Sequence, residues 1–154
     1  MLTEADPGLF AIMGGVGSGL AFEYDAATTA TVAADPGLSR DAVGLAIGLY
    51  TVAGQQPVTD FAIVSVVHLR DPSVNDEWYR SYRDSYDQSA CAQAGGVARH
   101  AEAVFGGHPA FITGCQGGAL IYHLRVRSGS IVVSITAVGP ARLGDRLAAD
   151  VDQP

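Results

Sequence analysis

The residues best suited to proton transfer or metal ligation are four histidines, His68, His100, His108 and His123. None stands at the spacing of a tight ligand pair such as HExxH or HxH, so neither a metal nor another cofactor is called for. Only convergence across strands would assemble a site, with His100, Glu102 and His123 on one sheet face. A serine or cysteine nucleophile needs a base in reach and a third group to orient that base. No GxSxG occurs, and the acidic residues are scattered rather than paired, so no catalytic residue is assigned. Cys91 and Cys115 read either as two buried thiols or as a disulfide. The disulfide is expected, because both cysteines fall at the ends of predicted elements, where a bridge would staple helix to sheet. Such a bridge belongs to an oxidising compartment, with Met1 standing in place of a removed leader. Free thiols would instead mean a cytoplasmic protein.

Aromatic residues offer the other chemistry. Trp78, Tyr82 and Tyr86 recur at i, i+4 and i+8 and read as the buried stripe of a helix. Tyr79 lies off that stripe and is expected to be partly exposed, available to a ligand. Gly14 to Gly19 (GGVGSG) lacks the GxGxxG register of a nucleotide loop and reads as a plain loop.

Composition narrows the classes further. The 154 residues are enough for one domain with its own core. They are 48% hydrophobic and 16% charged, with a net charge of −7. That balance disfavours a nucleic-acid binder, which presents a basic face. All nine basic residues are arginine, which removes a P-loop and any Schiff-base enzyme, since both need lysine. The longest apolar run, Ala42 to Ala53, is well short of the roughly 20 residues of a membrane-spanning helix.

The elements that must position these residues are clearest after residue 57. Residues 1–57 are harder to read: a helical turn over Leu2 to Pro7 with Thr3 as cap, a strand at Leu20 to Tyr24, a small and polar stretch from Ala26 to Leu38 with a turn at Asp35-Pro36-Gly37, and a strand at Val43 to Val52. In residues 58–151, Phe61 to Arg70 is apolar on both faces, as a covered central strand would be. Ser73 and Asp76 resemble a capping box for a helix running to Ala90, with Arg80–Asp84 and Arg83–Asp87 pairing on its wet side. A four-strand meander follows, Val97–Phe105, His108–Cys115, Ala119–Arg127 and Ser130–Val138, and a helix over Ala141–Val151 closes the chain. The tight turns set the register: His123 opposite Ser134, Tyr122 opposite Ile135, His100 opposite Thr113, Glu102 opposite Phe111. The predicted fold is therefore a single α+β domain. It has an antiparallel sheet of six to seven strands, a helix inserted before a four-strand meander, and a C-terminal helix packed on the sheet.

The helix WYRSYRDSYDQSA after a central strand, the GGHPAF turn, the strands ALIYHLRV and SIVVSITAV and the closing helix resemble the Mog1/PsbP-like α/β sandwich. Within it they resemble the LpqN-type secreted lipoproteins of actinobacteria. The resemblance covers Val58 to Val151 and implies a non-catalytic domain of the cell envelope that binds a protein or small ligand. The expected function is accordingly an extracytoplasmic binding or sensor module whose contact surface is the mixed sheet face at His100, Glu102, His123 and Arg125 plus the glycine-rich N-terminal loop, with Tyr79 nearby. A small hydrolase or metal-dependent enzyme using that face is the alternative. A structural subunit, homo-oligomeric through a sheet edge, is the second.

Overall fold

A computed structural model describes residues 4–14 and 19–153. The predicted Thr3 cap and most of the GGVGSG loop lie outside the described residues. Eight strands form one sheet: β1 (Glu4–Ala5), β2 (Leu20–Tyr24), β3 (Ala42–Val52), β4 (Phe61–Leu69), β5 (Val97–Phe105), β6 (His108–Cys115), β7 (Leu120–Val126) and β8 (Ile131–Val138). Their order is β1-β3-β4-β8-β7-β6-β5, with β2 pairing β3 beside β1. Every pairing is antiparallel except the two-residue β1, which runs parallel to β3. The α+β class, the inserted helix, the meander and its register stand as expected: His123 faces Ser134 and His100 faces Thr113.

Four helices, α1 (Ala26–Ala33), α2 (Pro36–Asp41), α3 (Asp76–Cys91) and α4 (Leu143–Asp150), cover the sheet. One face carries α4 and a 3-10 turn over Pro7–Met13. Between them and the sheet Tyr122, Leu124, Val133 and Ile135 pack with Met13, Leu147 and Val151. The ring of Tyr122 packs directly against Gly144, where an added Cβ would meet Cε1 at 2.0 Å. Gly144→Ala is therefore expected to cost about 1–3 kcal/mol by overpacking, read as a lowered urea midpoint at unchanged slope.

The other face carries α1, α2 and α3. The stretch read as a polar connection is in fact the two helices α1 and α2. Its small residues give no amphipathic period, so the helices depend on their caps. The carboxyl of Asp25 accepts from the Thr28 amide at 2.9 Å, and that of Asp35 from the Gly37 amide at 2.8 Å, with Pro36 opening α2. Tertiary contact does the rest: Thr29 Oγ1 is buried and accepts from the Ile47 amide of β3 at 3.0 Å.

Candidate binding site

α3 organises the polar groups over β6, β7 and β8 on this face. Asn75, not Ser73, caps it, accepting from the Trp78 amide at 2.7 Å, while Asp76 and Glu77 sit favourably in its first turn. Which side it buries differs from the reading of the sequence. Tyr79, Asp87 and Cys91 face the sheet, and Tyr79 is 8% exposed rather than partly open. The cause is covalent and geometric: Cys91 is bonded to Cys115 of β6, with Cα atoms 5.2 Å apart, and residues four apart on a helix share its side. Asp87 consequently turns inward instead of pairing with Arg83 on the wet side. The guanidinium of Arg83 lies 3.7 Å from the centre of the Phe111 ring.

Trp78, Tyr82 and Tyr86 are half-buried and form one wall of an open groove of about 840 Å³ between α3 and the α1–α2 pair. Val32 and Leu38 stand on the opposite wall, and Ile47, Ile63 and Ser65 make the floor. Trp78 and Tyr82 stack at 4.9 Å with their planes 11° apart. Trp78 Nε1 donates to Asp41 at 3.1 Å and so ties α3 to α2 across one end. Burial would raise the Asp41 carboxyl, but hydrogen bonds from Trp78, Arg40 and Ser73 outweigh it and hold the group below the usual carboxylate range. Ser81, Ser85 and Ser89 line the α3 rim, so an apolar trough has hydroxyls along one lip.

Beneath α3 runs a continuous chain of buried polar groups. Ser134 Oγ is 2.8 Å from His123 Nδ1, and His123 Nε2 is 2.6 Å from Asp87. Thr113 donates to the other Asp87 oxygen at 2.5 Å, and His100 Nδ1 lies 3.1 Å from the Thr113 hydroxyl. Tyr79 donates to the His123 carbonyl at 3.2 Å. Ser134, His123 and Asp87 together have the composition of a hydrolytic triad. However, Ser134 and His123 are completely enclosed and Asp87 is 2% exposed. A hydroxyl sealed in this way cannot reach an acyl carbon, and the geometry is that of a structural tie between helix and sheet.

The sequence-derived candidates are thus split. Tyr79, Glu102 and Arg125 line a second recess, of about 700 Å³, with Arg80 and Arg83. His100 borders a third, and His123 is interior to the tie. Among the described residues it is α3 that covers the mixed face. Asp87, Thr113 and Ser134 were missed, although the register had already set Ser134 and Thr113 beside the two histidines. Among the described residues no three of His, Cys, Asp or Glu converge as a metal site would require. No helix there is long and apolar enough to cross a membrane. No family model, curated protein or solved structure matches the chain.

The phenols carry a pH signature. Desolvation by burial is the leading cause raising Tyr50, Tyr79, Tyr82, Tyr86 and Tyr122 above the ordinary tyrosine value, Tyr50 to about 12 with help from Asp150. Because the fold holds these groups neutral, their contribution to stability is fully present below the unfolded value near pH 10. It is lost as pH rises from there through the folded values. Alkaline titration is expected to release most of the near-ultraviolet phenolate signal together with loss of circular dichroism, as one cooperative step. A gradual release from a folded chain would contradict this.

Proposed function

We propose that the protein is a non-catalytic, extracytoplasmic binding module that takes an elongated amphipathic small molecule in the groove between α3 and α1–α2. The observation that carries this reading is the groove itself. Three aromatic side chains at helical spacing, which a covered helix would bury, stay half-open above an apolar floor where Ile63 is 40% exposed. Open aromatic and aliphatic walls with a few hydroxyls at the rim are the usual make-up of a small-molecule site. The oxidising compartment is supported by the Cys91–Cys115 bond. Kinship with the Mog1/PsbP-like sandwich and the LpqN-type envelope lipoproteins belongs to the same proposal, supported by the order of strands and helices from β4 to α4.

Trp78 is the only tryptophan and lines the groove, so the test reads one residue. Titration with the amphipathic dye anilinonaphthalene sulfonate is expected to change Trp78 emission saturably, with one dye per chain. Ser85→Trp at the rim narrows the groove and is expected to reduce dye uptake without lowering the unfolding midpoint. Absence of saturable uptake by the oxidised, folded protein would remove the proposal.

A further inference from the structure

The geometry points to β5 as a self-pairing edge through which two copies of this chain join antiparallel about a two-fold axis at Ala101. β5 ends the sheet, and nearly all of its residues are exposed. It carries neither proline nor lysine, two of the devices that protect free edges. Gly106-Gly107 is a two-residue turn, so Phe105 and His108 exchange backbone hydrogen bonds. Alternation then turns the odd-numbered residues of β5 towards β6. His100, Glu102 and Val104 present their amides and carbonyls to the free side.

Antiparallel pairing about a two-fold axis must match these outward residues with one another, which leaves few registers. An axis at Glu102 sets glutamate against glutamate, and an axis at His100 sets histidine against histidine. The axis at Ala101 sets His100 against the partner's Glu102, twice. It also falls at the midpoint of β5 and brings Val104, 67% exposed, opposite the partner's Ala98. Ala98 is the extra residue of a bulge, since Val97 faces Cys115 and Arg99 faces Gly114, so the irregularity falls at the end of the shared stretch. On the opposite face Ala101 meets its own copy and the small Ala103 leaves room for the partner's Arg99.

The protons give the contact a direction. The Thr113 hydroxyl donates to Asp87, so His100 Nδ1 must donate to Thr113. That contact leaves Nε2 as the ring nitrogen that turns to the partner's Glu102. The acidic groups bordering His100 from α3 are Asp84 and Asp87, with Glu102 on its own strand, and β6 faces it with the uncharged Thr113 and Phe111.

Sedimentation velocity of the oxidised full chain over a concentration series is the test. A reversible shift from monomer to dimer is expected. His100→Glu sets like charges opposite and is expected to weaken self-association about tenfold or more. Combining His100→Glu with Glu102→His restores the complementary pairs and is expected to restore the dimer. Glu102→Pro removes an outward donor without touching the ladder to β6 and is expected to leave a folded monomer. A monomer at every concentration, or a dimer indifferent to both the single charge change and the proline, would overturn the inference.

Discussion

Asp87→Ala is expected to cost about 3–5 kcal/mol of folding stability, as removal of one partner from a buried ionisable pair does. Asp87 takes two short hydrogen bonds, from His123 and from Thr113, at a place where all three side chains are sealed from water. Alanine leaves both partners without one, and an enclosed polar group lacking its hydrogen bond costs the full desolvation term. Urea denaturation of the oxidised protein measures the loss. Asp87→Asn keeps one acceptor and is expected to cost less. A combined Asp87→Leu, His123→Phe, Thr113→Val and Ser134→Ala change removes the stranded groups together and should regain much of the stability. If Asp87→Ala costs under about 1 kcal/mol, the tie does not hold α3 to the sheet in the way described.

Removing the disulfide is expected to cost about 3.5 kcal/mol on the loop-entropy relation for its separation of 24 residues. Cys91→Ala with Cys115→Ala is the preferred variant, because both sites are apolar and alanine adds no polar group beside Ile121 and Tyr86. The comparison is the urea midpoint of the double variant against the oxidised parent. The two effects are coupled along α3. Asp87 is one turn before Cys91, so each change should leave the other tie partly in place, and the combined loss should depart from a simple sum. A functional consequence follows. The C-terminal half of α3 carries Tyr86 and Ser89 into the groove, and loosening it is expected to weaken dye binding more than Gly144→Ala does at equal loss of stability, because Gly144 lies on the opposite face of the sheet. Equal weakening by both would mean that the groove depends only on global stability.

Much of the fold was legible because it rests on local rules. Alternation, tight glycine turns and a strand apolar on both faces determine the meander, the central β4 and their register, down to His123 opposite Ser134. Cys91 and Cys115 at element ends were enough for the bridge. The helices α1 and α2 escaped because Ala26–Ala33 has no apolar period; only Asp25, Asp35 and Pro36 announced them. The face that α3 buries was decided by tertiary structure. Hydrophobicity favoured Trp78, Tyr82 and Tyr86 as the inward stripe. The bond at Cys91 and the partners waiting on the sheet, His123 and Thr113, draw in the side bearing Tyr79 and Asp87 instead. The aromatic side is left leaning over a gap that α1 and α2 do not fill. A side chain's burial depends on what stands opposite it, and that information lies some 26 to 44 residues away along the chain, beyond the reach of any local pattern.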